Sequence, residues 1–230
     1  MRYLALAVDY DGTLASHGEV HQSTLNALER FTESGRRLIM VTGRQLDDLQ
    51  NIFPHLELFS RVVAENGALL YDPGSKSRRL LPEPPNAAFV DELRRRSVPV
   101  SMGSAIVATS RPHEKTVLDV IHEHGLHLEV IFNKDAVMVL PSGINKGTGL
   151  KCALEELRIP AYNTIGVGDA ENDHAFLTLC DCSVAVANAL SALKNRADVV
   201  MEGACGAGVA ELIEHILKDD LRFLAPVSHS

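Results

Sequence analysis

The chain opens on Tyr3-Leu4-Ala5-Leu6-Ala7-Val8-Asp9-Tyr10-Asp11-Gly12-Thr13, an apolar run that stops abruptly at an acidic, glycine-containing turn. An apolar run this short, without alternation, reads as a strand buried on both faces, and the turn marks its carboxyl end. The pattern repeats outward from there. Residues 22–34 have helical spacing and stop at Gly35, and residues 37–41 form a second buried run ending in Thr42-Gly43-Arg44. Residues 62–64 and 68–71 are shorter runs, the latter opening a hairpin turned by Asp72-Pro73-Gly74. Further on, the spacing predicts a strand over 163–167, a helix over 171–179, strands over 183–186 and 198–201, and a helix over 208–217. Strands alternating with helices predict an α/β fold around a mostly parallel sheet.

The middle of the chain breaks this rhythm. Pro82, Pro84 and Pro85 stand at one side of it and Pro141-Ser142-Gly143 at the other. Between them the pattern gives a charged helix over 87–96, a strand over 105–109, a helix over 113–124, and strands over 126–132 and 136–140 about the turn Asn133-Lys134-Asp135. This is a small α+β module inserted into the α/β core. The expected division is 1–81 with 142–230 for the core, and 82–141 for the insert.

Composition narrows the function. The 230 residues are 46% apolar and 23% charged, enough to bury a core, and the net charge of −8 argues against nucleic acid or an anionic membrane as partner. The four cysteines form no CxxC pair, so they read as reduced thiols, and Cys180-x-Cys182 has too little company for zinc. No apolar run is long enough to cross a bilayer and the N-terminus lacks a signal-peptide pattern, so a cytoplasmic protein is expected. Gly166-Val167-Gly168 runs into Asp169-Ala170-Glu171, leaving GxGxxG incomplete, and no P-loop sequence is present.

Polar clusters stand where a site in an open α/β sheet belongs, beyond the carboxyl ends of strands. They are Asp9 to Thr13, Thr42-Gly43-Arg44, Lys146 ahead of a helix, and Gly168-Asp169-Ala170-Glu171-Asn172-Asp173. If the loops converge, Asp9, Asp11, Asp169 and Asp173 meet. Two like charges 4 Å apart repel by about 4 kcal/mol at an effective dielectric of ~20. A hard divalent cation, Mg²⁺, is the expected answer. The remaining groups suit a phosphate held by Thr42, the Gly43 amide and Lys146, with Asn172 as a further contact. Asp9 is placed to attack phosphorus and form an aspartyl-phosphate, and Asp11 to protonate the leaving group and then activate water. Arg44 either touches substrate or pairs with a carboxylate; Asn66 and Asn188 either face the pocket or serve their turns.

In this order, the clusters resemble the motifs of the haloacid dehalogenase-like (HAD) hydrolases: Asp9-Tyr10-Asp11-Gly12-Thr13, Val41-Thr42-Gly43-Arg44, Asn145-Lys146-Gly147 and the Gly168-to-Asp173 loop. The Glu65-Asn66-Gly67-Ala68 stretch and the insert are similar to the Cof-type (IIB) branch, with its phosphoglycolate-phosphatase-like and sucrose-phosphatase-like members. The resemblance implies a Rossmannoid core with an α+β cap of type C2B. It implies Asp9 as nucleophile, Asp11 as acid/base, and Mg²⁺ held by Asp9, Asp169 and the Asp11 main-chain carbonyl, with Asp173 acting through water. The expected activity is Mg²⁺-dependent hydrolysis of a small phosphate monoester, phosphoglycolate or a sugar phosphate. A phosphomutase or a catalytically silent phosphate sensor is the alternative; a dehalogenase would have no use for Asp11 or a metal. Candidate readers of the substrate in the insert are Ser101, Met102, Ser104, Arg111, Asn133 and Lys134. Arg111 or Lys134 pointing inward would favour a second anionic group, as in phosphoglycolate.

Overall fold

The computed structural model of the chain describes residues 1–133 and 135–222. The elements in chain order are β1 (Ala5–Val8), α1 (Gln22–Glu33), β2 (Arg37–Val41), α2 (Leu46–Ile52), β3 (Arg61–Ala64), β4 (Leu69–Asp72) and β5 (Ser77–Leu80). There follow α3 (Ala87–Arg95), β6 (Ser101–Met102), β7 (Val107–Ser110), α4 (Glu114–Glu123), β8 (Leu128–Asn133) and β9 (Ala136–Pro141). The chain then gives α5 (Lys146–Leu157), β10 (Thr164–Gly168), α6 (His174–Leu177), β11 (Cys182–Ala185), α7 (Ser191–Lys194), β12 (Val199–Val200) and α8 (Gly206–Asp219).

The larger sheet runs β12-β11-β10-β1-β2-β3-β4-β5. It is parallel from β12 to β3 and closes with the antiparallel pairs β3–β4 and β4–β5. β1, β2 and β10 are almost wholly buried, which is why their sequences are continuous apolar runs. Helices cover them with periodic faces: α1 buries Thr24, Leu25, Ala27, Leu28 and Phe31, and α8 buries Val209, Leu212, Ile213 and Ile216. Each fully buried Leu, Ile or Phe contributes about 1.5–3 kcal/mol.

Register places the site. Val8 lies opposite Val167 of β10 and Met40 of β2. The residues just past these strands, Asp9, Asp169 and Thr42, therefore emerge side by side at one edge of the sheet. α5 starts there too: Asn145 caps it, accepting from the amides of Gly147 and Thr148, so Lys146 is its first helical residue rather than part of a preceding loop.

The insert forms a second, antiparallel sheet, β6-β7-β9-β8. On one face Val107 and Val139 pack against Phe89, Val90 and Leu93 of α3 and Val117 and Val120 of α4. On the other, Ala105, Ile106, Met138 and Leu140 meet Ala68 of the larger sheet's hairpin region. The helix expected over 171–179 is a 3₁₀ turn at Glu171–Asp173 followed by the short α6. The cause is Asp173, whose side chain folds back onto the amides of its own loop.

Candidate active site

Four buried ionisable groups meet at the strand ends. Lys146 Nζ donates to Asp9 Oδ1 and to Asp173 Oδ1, each at 2.6 Å. The second oxygen of Asp173 accepts from the amides of Asp169 at 2.8 Å and Ala170 at 2.9 Å. Thr13 Oγ1 donates to Asp169 Oδ1 at 3.3 Å. One carboxylate oxygen from each of Asp9, Asp169 and Asp173 lies within 4.8 Å of the other two. Gly12, at φ +86°, lets the first turn pass against this cluster; a Cβ there would lie 2.4 Å from Asp169 Oδ2.

The electrostatics follow from burial. Loss of solvent, then the charge of Asp173, pushes the Asp9 carboxyl above its usual range, against the pull of Lys146. Burial alone would lower Lys146, but the charges of Asp173 and Asp9 outweigh it and hold the ammonium above its ordinary value. Even with a proton on Asp9, the carboxylates of Asp169 and Asp173 against one buried ammonium leave the cluster net negative. Hard oxygen donors, net negative charge and the space kept open by Gly12 fit a divalent cation.

Asp11 stands apart. Its two oxygens accept from Arg44 Nε and Nη2, both at 2.7 Å, while Arg44 Nη1 reaches Asp48 at 2.6 Å and the guanidinium lies over the Tyr10 ring. Next to this rim, Thr42 Oγ1 accepts from the Arg44 amide at 3.1 Å, and the Asn66 amide donates to the Thr42 carbonyl at 3.0 Å. Asn172 Nδ2 donates to Asn66 Oδ1 at 3.0 Å, against which Gly43 packs without room to spare. Thr42, Gly43, Asn66 and Asn172 are thus one contiguous wall.

A profile of the haloacid dehalogenase-like hydrolases matches residues 6–96 and 127–213, a span that holds all of these loops. The chain belongs to that family. Among its relatives is the phosphoglycolate phosphatase of Methanothermobacter thermautotrophicus, 30% identical over 221 residues, covering 93% of this chain and 98% of that one. Phosphoglycolate phosphatase 2 of Saccharolobus solfataricus is 29% identical over 219 residues, covering 93% and 92%. A solved HAD subclass IIB sugar phosphatase shares the fold at a TM-score of 0.75 and 19% identity, over 92% of this chain and 98% of that one. This HAD-like hydrolase is a phosphoric monoester hydrolase, and its substrate is a small phosphorylated molecule. No helix among its described residues is long and apolar enough to cross a membrane.

Several expectations about the hydrolase's site change. The acidic cluster of the described residues comprises Asp9, Asp169 and Asp173, not four carboxylates, because the Arg44 fork takes Asp11 out of it. Of the two roles left open for Arg44, the structure shows the pairing: its guanidinium hydrogen-bonds to the carboxylates of Asp11 and Asp48 and lies over the Tyr10 ring. Asn188 is a brace: its Nδ2 donates to the Gly12 carbonyl and its Oδ1 accepts from the Cys205 amide, both at 2.7 Å, so its amide is spent on backbone. Arg111 is exposed and lies over the Phe132 ring. Lys134 and the side chain of Asn133 lie outside the described residues. The reading of the sequence gave no role to Glu65 or Thr13. Thr13 carried a signal, since a hydroxyl in the first motif sits beside carboxylates; Glu65 carried none beyond its Asn-Gly turn.

Proposed function

We propose that this hydrolase is a Mg²⁺-dependent phosphatase that cleaves a small phosphate monoester, phosphoglycolate or a sugar phosphate, through an aspartyl-phosphate on Asp9. In this reading residues 1–81 and 142–230 are the catalytic core and 82–141 the cap. The observation that carries it is Asp9 itself, a buried carboxylate at a strand end, fixed at 2.6 Å by Lys146 and beside Asp169 and Asp173. Asp9 attacks phosphorus as the ester oxygen leaves, and Asp11, released from the Arg44 fork and carrying a proton, supplies that proton to the leaving oxygen. Asp11 then removes a proton from the water that cleaves the acyl phosphate, returning Asp9 and releasing phosphate. Thr42, the Gly43 amide, Lys146 and Asn172 hold the phosphoryl oxygens. Asp9, Asp169 and the Asp11 carbonyl would hold Mg²⁺, with Asp173 behind them, and the ion would supply charge neutralisation on the phosphoryl group.

The side of the cap sheet turned to the core supports a small substrate, since Ile106, Ile131 and Met138 fill space there between Ala105, Ala108 and Ala136. The test is phosphate release from a panel of small monoesters with and without Mg²⁺, with Asp9→Asn alongside. Metal-dependent turnover that falls by a factor on the order of 10⁴ or more in Asp9→Asn is expected. Turnover that survives the substitution would remove the covalent step.

A further inference from the structure

The core and the cap meet at one unusual turn. Glu65, Asn66 and Gly67 follow one another at φ of +52°, +52° and +104°, a left-handed run that glycine and asparagine adopt readily and that strains Glu65. Strain of this kind persists where the surroundings over-determine it, and such positions cluster at functional sites. Here the surroundings are visible on both sides. The Glu65 amide donates to the Arg44 carbonyl at 2.9 Å and the Asn66 amide to the Thr42 carbonyl at 3.0 Å, so the backbone of the turn hangs on the phosphate-side loop.

The side chains go the other way. The Glu65 carboxylate is 1% exposed and accepts three successive cap amides: Ser104 at 2.9 Å on Oε1, and Ala105 at 2.8 Å and Ile106 at 3.0 Å on Oε2. Hydrogen bonds to an ionised acceptor are stronger than neutral ones. Asn66 Nδ2 reaches Met138 Sδ of the cap at 2.8 Å, while Asn66 Oδ1 receives Asn172 from the loop of Asp169 and Asp173. The fit is close: a Cβ at Gly103 would stand 2.7 Å from the Glu65 carboxylate. None of these Glu65 contacts is needed to build either sheet. They fix where the cap's apolar face sits relative to Thr42 and Asn172.

We propose that Glu65 is the positioning residue that holds the cap turn 103–106 down on the phosphate-side loop, and that this anchoring sets the size of ester the enzyme accepts. The inference rests on the phosphatase reading above. It does not place Glu65 in contact with substrate.

The experiment compares Glu65→Gln and Gly103→Ala with the wild type in the full chain. Glu65→Gln replaces one acceptor oxygen with a donor that opposes a cap amide; Gly103→Ala lifts the same turn with the carboxylate intact. Each is expected to raise KM for phosphoglycolate more than it lowers kcat. Each should shift the kcat/KM ratio of phosphoglycolate to p-nitrophenyl phosphate by about tenfold toward the bulkier ester. Both should speed hydrogen exchange at the amides of 104–106, and the double variant should add little to either single one. Folded variants that slow both esters equally, or leave the ratio unmoved, would overturn the role of Glu65 while leaving the phosphatase standing. A wild type silent toward every ester would overturn the phosphatase reading and take the size claim with it.

Discussion

Asp9 and Asp11 stand two positions apart in one turn, yet the protein treats them as members of different regions. Asp9 belongs to the buried cluster, where it and its partner Lys146 are 5% and 2% exposed. Asp11 belongs to the rim, where it and Arg44 are 38% and 27% exposed. The buried region concentrates charge where water cannot relieve it, so its groups depend on one another or on a cation. The rim is a guanidinium fork in reach of solvent, worth at most about 1 kcal/mol to the fold. Gly12 makes the separation possible, because its positive φ reverses the chain just after Asp11 while its missing Cβ leaves room for Asp169.

The largest effect expected from breaking the buried region is that of Lys146→Met. It removes the one ammonium from between Asp9 and Asp173 and leaves both carboxylates desolvated, a loss of about 3–5 kcal/mol in denaturant unfolding without metal. A loss below about 1 kcal/mol would mean that the cluster is solvated as the rim is. Asp11→Asn should do the reverse, sparing stability and slowing turnover by about 10²–10⁴-fold. The slowing should be greater for alkyl than for aryl esters, whose leaving groups need less protonation. Equal slowing across a leaving-group series would take the acid role from Asp11.

The same division governs what could be read from the sequence. The core strands were legible because β1, β2 and β10 are buried on both faces, so each is an unbroken apolar run whose end marks the site. The hairpin β8–β9 was legible from its two runs and the turn between them. β6, two residues long, offers no pattern at all, and β5 is exposed throughout, so only the turn before it gave notice. Which side of β7 looks at the core follows from its register on β9, where Ala108 lies opposite Met138, and not from its own weak alternation. Distant side-chain pairings were the least legible. Asp11 with Arg44, Asn188 with Gly12, and Glu65 with the amides of 104–106 join segments far apart in the chain, and each is decided by folded geometry.

A change of pH isolates the charge on Asp9. Burial and the neighbouring Asp173 raise its pKa in the folded, metal-free protein, whereas the unfolded chain has an ordinary carboxylate there. Between the ordinary value and the raised one, the folded state holds a proton that the unfolded state has already released. Stability rises with pH only where the unfolded state binds more protons, so here this group's contribution must fall as pH climbs from the carboxylate range toward neutral. Asp9→Asn carries no such proton. In EDTA, its melting temperature should match that of the wild type at about pH 4 and exceed it increasingly toward about pH 8. Saturating Mg²⁺, at about a hundred times its Kd, should return about 2.7 kcal/mol to the wild type and narrow that gap. If the two proteins melt in parallel across the range without metal, Asp9 is ionised at no cost, and the contrast between a desolvated nucleophile and a solvated rim acid would lose its physical basis.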